Sequence, residues 1–358
     1  MVDWTASMQQ TFEYYIVDPI TWKDVSLLNT VTTSDITRDD ETDTLGSATL
    51  EITESVGECY IRIYLVTVQN GVREKHPLAT VLVQTPSSTF TGRVRNVTMD
   101  AYTPLIELKE KQPPLGYSLW KKDRPTILTA AYKIANEHTR AIVVPPNVAD
   151  KDKLLQNDFV AEEDNTWLTF VKDLLANADY KLDVDAMGYI LFAPVQETES
   201  LQPVWTFDDS NSSILHPEIT MDHDIYGIPN VVEVVYSRAD NEPLHAVVKN
   251  EDPNSPTSTI NRGREITIRV TDPDLAGAVN EDEVYAYASK LLKEYSTVEY
   301  TVTYTHGYCP VRVGDCVRLN YSRAGITNVK AKVISQKIKC TPGCPVTEKA
   351  VFTTNLWG

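Results

Sequence analysis

The stretch "NTWLTFVKDLLANADYKLDVDAMGYILF", from Asn165 to Phe192, changes its periodicity halfway along. Its first half repeats apolar residues at intervals of three and four, which is the spacing of one face of an α-helix. These residues are Trp167, Phe170, Val171, Leu174 and Leu175. Asn165 or Thr166 is suited to cap the start of this helix. The second half alternates apolar with polar residues on both sides of Asp185–Gly188, which predicts a β-hairpin.

Proline-containing segments lie on both sides of this helix and hairpin. "KQPPLGYSLWKKDRP" (Lys111–Pro125) precedes them, and "ETESLQPVW" (Glu197–Trp205) follows them. Such segments interrupt regular structure and mark domain boundaries. A second helix is predicted in "PTILTAAYKIANEH", beginning at Pro125, with a short strand in "TRAIVVPPN" after it. Residues 113–200 are therefore predicted to form a small α+β domain.

Residues 1–112 are rich in predicted strands. "SATLEITES", "CYIRIYLVTV" and "ATVLVQT" alternate in polarity and are separated by turn residues. This pattern predicts an antiparallel barrel or sandwich. The acidic tract "SDITRDDETDT" (Ser34–Thr44) lacks the regular spacing and the closing glutamate of a calcium loop, so we interpret it as a solvated, mobile loop.

Residues 201–358 return to predicted strands, interrupted by one helix. "NVVEVVYS", "LHAVVKN" and "REITIRVTD" are strand patterns, and Asn280 or Asp282 is suited to cap the helix that follows. Further strands complete the chain. The predicted fold class is α+β and mainly β, with two antiparallel β-barrel or sandwich domains (1–112 and 201–358) and the small α+β domain (113–200) between them.

The net charge of the 358-residue chain is −17. General nucleic-acid binding requires a basic face, and the cluster of Lys and Arg that the sequence offers is "KKDR" at Lys121–Arg124. Nucleic-acid binding is therefore disfavoured. No apolar run approaches the roughly 18 residues of a membrane span. The N-terminal residues lack the pattern of a secretory signal, so we expect folding in a cytosol and no membrane partner.

The chain contains five cysteines, of which Cys59 is interpreted as a small core residue. The other four lie in the C-terminal region: Cys309, Cys316, Cys340 and Cys344. Two nearby pairs of thiolates suit tetrahedral zinc, but the spacing within each pair is wider than in zinc knuckles. We favour buried thiols, and a zinc site is the alternative.

Carboxylates and histidines were considered as catalytic groups. Asp183 and Asp185 share one face of the hairpin because side chains repeat with period two along a strand. Asp179 lies nearby, and a pair of carboxylates across a cleft would suit glycoside hydrolysis. We interpret all three as the solvated side of a half-buried hairpin. His216 and His223 share the acidic segment "HPEITMDHD", interpreted as a loop that packs between domains rather than as a His–carboxylate site.

The order of four segments resembles the baseplate hub family of bacteriophage tails, which includes the late control protein D group and the hubs of contractile tails and tailocins. The first is "ITRDDETDTLGSATLEI" (36–52), and the second is the helix and hairpin quoted above. The third is "WTFDDSNSSILHPEITMDHDIYGIPNVVEVVYS" (205–237). The fourth is "AYASKLLKEYSTVEYTVTYTHGYCPVRVGDCVRLNY" (286–321). Together they span most of the chain.

The resemblance implies a homotrimer in which each β domain is similar to the tail tube protein. Three subunits would then present six tube-like modules in a ring that joins the six-fold tail tube to the three-fold central spike. The implied partners are the tail tube protein, the central spike protein and other baseplate proteins, with the tape measure protein as a further candidate. DNA passes through as cargo. The implied location is the tail baseplate of a virion, assembled in the host cytoplasm.

On this interpretation the protein is a structural assembly protein and not an enzyme. No catalytic, cofactor-binding or metal-binding residue is assigned. The alternative is a cell-wall or polysaccharide-acting tail-tip module that uses the hairpin carboxylates. The resemblance extends to the tail tips of non-contractile phages, so the kind of tail is left open.

Overall fold

Strands dominate the structure. The computed structural model describes residues 2–54, 56–92, 94–147, 152–210, 213–238, 241–273 and 280–357. The strands are β1 (Gln9–Val17), β2 (Asp24–Leu27), β3 (Val31–Asp39), β4 (Gly46–Ile52), β5 (Cys59–Gln69), β6 (Val72–Thr91), β7 (Val94–Tyr102), β8 (Ser118–Leu119), β9 (Phe159–Val160), β10 (Tyr180–Val184), β11 (Ile190–Pro194), β12 (Trp205–Asp208), β13 (Leu215–His223), β14 (Val231–Arg238), β15 (Asn241–Lys249), β16 (Thr267–Thr271), β17 (Thr297–Gly307), β18 (Cys316–Tyr321), β19 (Ile326–Lys339) and β20 (Pro345–Asn355). The α-helices are α1 (Ile106–Lys109), α2 (Ile127–His138), α3 (Trp167–Ala176), α4 (Thr259–Arg262) and α5 (Glu281–Tyr295). The predicted fold class, α+β and mainly β, is confirmed.

The largest sheet continues from N-terminal strands into C-terminal strands. Its order is β13-β17-β20-β19-β3-β4-β7-β6-β5-β1-β2, with β18 on β19 and β12 on β18. The junction is the antiparallel pair β19–β3, in which Ser335 lies opposite Asp39 and Lys339 lies opposite Asp35. Two stretches of chain almost 300 residues apart therefore share one hydrogen-bonded sheet.

Contacts between residues divide the chain into two units. One consists of Met1–Ile219 with Tyr304–Lys349, and the other of Thr220–Thr303 with Ala350–Gly358. Proline-containing segments predicted a different division, into residues 1–112, 113–200 and 201–358. That division into three domains stays a prediction.

The acidic tract Ser34–Thr44 is not the solvated loop that its composition indicated. Residues up to Asp39 form most of β3, where Ser34 and Ile36 are buried. β3 is hydrogen-bonded on both sides, to β19 and to β4. Alternation within the tract, with Ile36 between polar neighbours, is what a strand requires. The remaining residues form the turn into β4.

Strand β5 is covered on both faces, which explains its nearly continuous apolar sequence "CYIRIYLV". Ile61, Ile63 and Leu65 belong to the core inside the N-terminal strands. Tyr60 points to the other face, where it joins the core formed by α2, α3 and the β10–β11 hairpin. The middle segment of the chain thus packs its apolar residues on the back of this sheet.

Helix α3 follows the prediction closely, and α2 departs from it in detail. Thr166 caps α3 by accepting a hydrogen bond from the Thr169 N–H. Helix α2 begins at Ile127, two residues after Pro125, and the N–H groups of Leu128 and Thr129 donate to the carboxylate of Asp152. Asp152 Oδ1 accepts from the Leu128 N–H at 2.7 Å.

The predicted strand in "TRAIVVPPN" is reduced to an isolated parallel bridge between Val143 and Ile190. Ile190 donates to the Ile142 carbonyl at 3.0 Å and accepts from Val144 at 2.9 Å. The ladder stops there because Pro145 and Pro146 have no N–H to donate.

The unit containing residues 220–303 is a three-stranded sheet covered by α5. Its strand order is β15-β14-β16, with β16 parallel to β14. Asn280 caps α5 through a capping box with Glu283, so one of the two predicted caps is the right one. The Pro/Ser/Thr-rich loop between β15 and β16 contains α4 and is held by a buried amide, since Asn230 Nδ2 donates to the carbonyls of Thr257 and Arg264.

Candidate functional site

The half-buried tip of the β10–β11 hairpin is held by hydrogen bonds from its own turn and from the N-terminal strands. The strands are antiparallel, with Leu182 opposite Phe192 and Val184 opposite Ile190. Within the turn the Gly188 N–H donates to the Asp185 carbonyl at 2.9 Å. The Asp185 side chain accepts from the Tyr189 N–H at 2.8 Å, so this carboxylate is part of the turn.

Backbone carbonyls at the hairpin tip receive side-chain donors from the N-terminal strands. Met187 O accepts from Trp22 Nε1 at 2.8 Å and from Arg62 Nη2 at 3.1 Å. Ala186 O accepts from Thr80 Oγ1 at 3.1 Å. These donors lie more than 100 residues from the turn in sequence, so they define its docking on the sheet. We call this contact the hairpin dock: Trp22, Arg62, Thr80 and the turn Asp185–Gly188.

Arg62 is the centre of the hairpin dock, and its side chain is satisfied on every nitrogen. Its exposed fraction is 1%. Nη1 forms an ion pair with Asp24 Oδ1 at 2.6 Å, and Nε donates to Thr80 Oγ1 at 2.9 Å. Nη2 donates to the carbonyls of Trp22 and Met187. A buried guanidinium is tolerated because each of its nitrogens has a partner.

Asp24 extends this network to the edge strand β2. Its Oδ2 accepts from the Tyr64 hydroxyl at 2.8 Å. Burial, together with the Asp24 carboxylate, raises the pKa of Tyr64. Arg62 thus connects the hairpin tip to the outer edge of the N-terminal sheet.

Gly188 is required by the closeness of the hairpin dock. Its φ is +78°, a left-handed conformation that suits glycine. A Cβ at this position would lie 2.8 Å from Thr80 Cβ and 3.0 Å from Trp22 Cζ2. The glycine in "DAMGY" therefore serves both the turn and the packing of the turn on the sheet.

The hairpin carboxylates are the candidate catalytic groups, and the structure gives each of them its own partner. Asp185 is engaged in the turn. Asp183 is half-buried, with Oδ2 4.0 Å from Arg312 Nη2. Asp179 is exposed and forms an ion pair with Lys153 at 2.8 Å. The three side chains thus have separate partners, and each has a local structural role.

Asp183 borders a cleft of about 200 Å³ that also contains Arg312, Asp315 and Lys332. Burial raises the pKa of Asp315, although its carboxylate accepts from the Arg312 N–H at 2.8 Å. Arg312 also donates to the Val184 carbonyl at 2.8 Å, which fixes the hairpin from its other side. Paired cations and carboxylates of this kind favour a structural contact over a reactive pair.

A buried polar cluster around Glu348 was not anticipated from the sequence. Glu348 is fully buried and accepts from the Tyr304 hydroxyl at 2.7 Å and from Gln336 Nε2. His306 Nε2 lies 3.1 Å from Glu348 Oε1. The signal in the sequence is that Glu348 falls between Val346 and Ala350 on one face of β20. A charge at such a position needs internal partners.

Cys309, His306 and Glu348 superficially resemble a catalytic triad. Cys309 Sγ lies 3.8 Å from His306 Nδ1, and that same nitrogen lies 2.6 Å from the Gly307 carbonyl. Because the carbonyl accepts only a proton-bearing nitrogen, Nδ1 carries its proton and is no base for the thiol. Burial raises the pKa of the Cys309 thiol well above its usual value. In this arrangement His306 Nδ1 is therefore not placed to deprotonate the Cys309 thiol.

All five cysteines are free thiols. Cys309, Cys316, Cys340 and Cys344 are buried, and burial raises the pKa of Cys340 to about 12. Over the described ranges, no group of three His, Cys, Asp or Glu side chains is placed to bind a metal ion. The alternative of a zinc site thus finds no ligand set in this part of the chain.

His216 and His223 lie on a strand and not in a loop. The acidic segment forms most of β13, where the two histidines are seven positions apart and point to opposite faces. His223 stacks on Tyr300, with ring centroids 4.6 Å apart. The segment "LHPEITMDH" alternates apolar with polar residues, as a strand does, but its charged residues favoured a loop. The loop interpretation was therefore wrong. Among the helices that are described, none is long and apolar enough to cross a membrane.

Comparisons with known proteins give matches in structure but not in sequence. No protein-family model matches the chain, and no curated protein matches it. The fold is similar to that of the tail protein from Neisseria meningitidis MC58, with 14% identity and a TM-score of 0.59 over 97% of this chain and 98% of that one. It is also similar to the 43 kDa tail protein of prophage MuSo2 from Shewanella oneidensis, with 10% identity and a TM-score of 0.60 over 95% of this chain and 98% of that one.

A third similarity is to a chain of the Francisella PdpA–VgrG complex, with 9% identity and a TM-score of 0.53. It covers 96% of this chain and 52% of that one. Identities this low establish a shared fold and leave function to separate argument. The chain has the fold of these tail proteins, and the resemblance predicted from its sequence is confirmed at the level of the fold.

Proposed function

We propose that this chain is a non-enzymatic baseplate hub of a phage-type tail, acting as a homotrimer between the tail tube and the central spike. The observation that carries the proposal is the fold similarity to two tail proteins over nearly the full length of all three chains. A partial match would have indicated a shared module, whereas this one includes the N-terminal strands, the middle segment and the C-terminal strands.

The β19–β3 junction supports a ring. It shows that N-terminal and C-terminal strands of this chain are compatible as sheet neighbours, in a register that buries Ile36 and Ile338. A trimer with two β regions per subunit doubles three-fold to pseudo-six-fold symmetry, which matches a six-fold tube to a three-fold spike. Joining sheets edge to edge around the ring would also cover edge strands that otherwise invite aggregation.

The charge supports passage of DNA rather than its binding. A net charge of −17 keeps an acidic surface from retaining a polyanion. The proposed partners are the tail tube protein, the central spike protein and other baseplate proteins, with the tape measure protein as a further candidate. The proposed location is the virion tail, with assembly in the host cytoplasm.

The test is the mass of the purified chain in solution, followed by electron microscopy with its cognate tail tube protein. A hub gives a trimer, or a ring capping the tube, and releases no sugar from peptidoglycan. A monomer that binds no tube contradicts the proposal. If it also releases sugar, and Asp183→Asn with Asp185→Asn abolishes the release, the chain is the cell-wall-acting module instead.

A further inference from the structure

The two-stranded ribbon of β8 and β9 has opposite charge at its two ends. Ser118 pairs with Val160 and Leu119 with Phe159, and the Ala161 N–H donates to the Tyr117 carbonyl at 2.9 Å. We call Trp120–Arg124 the cationic end. We call Pro113–Gly116 together with Ala161–Asp164 the acidic end. Because the strands are antiparallel, these two segments leave the ribbon in opposite directions.

The cationic end presents unpaired charges around an exposed indole. Lys121, Lys122 and Arg124 are exposed, and none of them forms an ion pair with a carboxylate in the described part of the chain. Trp120 has an exposed fraction of 45%, and Lys122 Nζ lies 5.5 Å from its ring centroid. A solvated cation beside an indole is available to a partner at little cost.

This end is also rigid. The Lys121 N–H donates to Asp158 Oδ1 at 2.7 Å, and the Arg124 N–H donates to the Lys121 carbonyl at 2.9 Å. Arg124 has a φ of +52°, which costs a non-glycine residue free energy and is held by this turn. A rigid, strained and exposed turn loses little conformational entropy when a partner covers it.

The acidic end is concave. A cleft of about 190 Å³ is lined by Pro113, Pro114, Leu115, Gly116, Ala161, Glu162 and Glu163. Leu115 has an exposed fraction of 87%, and Glu162, Glu163 and Asp164 are exposed. None of these carboxylates has an ion-pair partner among the residues that the structure describes. A cleft lined by both prolines and carboxylates suits an aromatic side chain beside a cation.

We propose that the cationic end of one copy docks into the acidic cleft of the next copy, with Trp120 over the prolines and Lys122 against Glu162 and Glu163. The two surfaces are complementary in charge and shape. Copies that each carry −17 repel, so a place where opposite charges meet favours self-association. The contact joins different surfaces of two identical chains, and repetition of such a contact closes a ring. This contact adds an interface to the proposed function. The number of copies in the ring rests on that proposed function.

The experiment is sedimentation velocity over a range of concentrations, on the full chain at low and moderate salt. Trp120→Ala removes the central aromatic anchor and is expected to weaken association roughly 30-fold. Tyr226→Ala is the matched control, since Tyr226 is another exposed aromatic, at 81%, and its loss leaves association unchanged.

Charge reversal separates a lost contact from a misfolded variant. Lys121→Glu with Lys122→Glu abolishes association, as does Glu162→Lys with Glu163→Lys. The variant with all four changes associates again, because opposite charges meet once more with their positions exchanged. Recovery of this kind requires correctly folded chains.

Two outcomes overturn the inference. In the first, the wild-type chain associates, and Trp120→Ala and both charge reversals leave that association unchanged. The hub proposal then stands, but the contact lies elsewhere on the chain. In the second, each double charge reversal abolishes association, and the variant with all four changes does not associate again. Failure of the hub proposal has a different signature, since the wild-type chain then forms neither a trimer nor a ring on its tube partner.

Discussion

The β10–β11 hairpin and the β8–β9 ribbon are both short two-stranded pieces of the middle segment, and they treat polar groups in opposite ways. At the hairpin tip the charged group, Arg62, is 1% exposed and each of its nitrogens has a partner. On the ribbon the charges of Lys121 and Lys122 are exposed, without an ion pair in the described residues. Buried and fully paired charges such as Arg62 hold parts of one chain together, whereas exposed and unpaired charges such as Lys121 and Lys122 are available for contacts between chains.

The physical reason for this difference is that the protein interior has a much lower dielectric constant than water. A charge removed from water costs several kcal/mol unless the protein replaces its hydrogen bonds, so Arg62 is retained only with its full set of acceptors. A charge left in water costs nothing and contributes little to folding. The hairpin dock therefore determines stability, and the ribbon is free to serve association. Each prediction below tests one side of this contrast.

The largest effect is expected at Arg62. Arg62→Met keeps the aliphatic bulk but leaves Asp24 Oδ1 without its cation and removes one of the two donors to the Met187 carbonyl, which costs about 4 kcal/mol of unfolding free energy. Urea unfolding measures it. Arg73→Met is the control, because Arg73 is an exposed arginine that also pairs with one carboxylate, Glu13, and its loss costs less than about 1 kcal/mol. Equal losses in the two variants would remove the distinction between buried and exposed charge.

A slightly smaller effect is expected at Gly188. Gly188→Ala adds the strain of a left-handed alanine and a clash with Thr80 and Trp22, for about 3 kcal/mol in total. Gly71→Ala is a matched control, since Gly71 has the same φ of +78° but no atom within 4 Å of its virtual Cβ. It should cost about 1 kcal/mol. Similar losses at both sites would mean that the hairpin tip does not pack closely on the sheet.

The next effect depends on pH and concerns Glu107, which holds the end of α2 through Arg140. Burial alone would raise the pKa of Glu107, but hydrogen bonds from the Arg140 N–H and guanidinium outweigh it, so the pKa lies below its ordinary value of 4.5. A depressed pKa gives stability that is present above pH 4.5 and is lost as pH falls through the folded-state pKa. Glu107→Gln should cost about 1.5 kcal/mol at pH 7 and progressively less below pH 4.5.

Unfolding by urea between pH 7 and pH 3 measures this dependence. Glu58→Gln is the control, because Glu58 approaches the same arginine at 3.4 Å from an exposed position. Its loss should be small at every pH. A Glu107→Gln cost that stays constant across the range would contradict the linkage.

The smallest effect on folding is expected on the ribbon. Lys122→Ala removes an exposed charge and should change the free energy of unfolding by less than about 0.5 kcal/mol. The same variant should weaken self-association, because that charge faces Glu162 and Glu163 of the next copy in the proposed contact. A large loss of stability with unchanged association would reverse the roles assigned to the two regions.

The sequence by itself determined the local elements. Helix α3 with its Thr166 cap, the β10–β11 hairpin, and α5 with its Asn280 cap were predicted because their signals lie within a few residues of each other. Segment order also indicated the tail-protein fold, since order along the chain survives where identity does not. Strand β13 and the acidic half of β3 were interpreted as loops. Their many charged residues were given more weight than their alternation of apolar and polar positions.

The tertiary structure alone decided which polar residues are buried and what they hold. Arg62 in "CYIRIYL" looks like an outward-facing strand residue, and it is buried by contacts with Trp22, Asp24 and the hairpin, whose Met187 lies 125 residues later in the chain. The burial of Glu348 on β20 and the pairing between β19 and β3 also depend on the tertiary structure. Hydrophobic periodicity and secondary-structure propensity carry information about residues that are close together along the chain. A partner more than 100 residues away is specified by packing of the whole fold, and no local pattern carries that information.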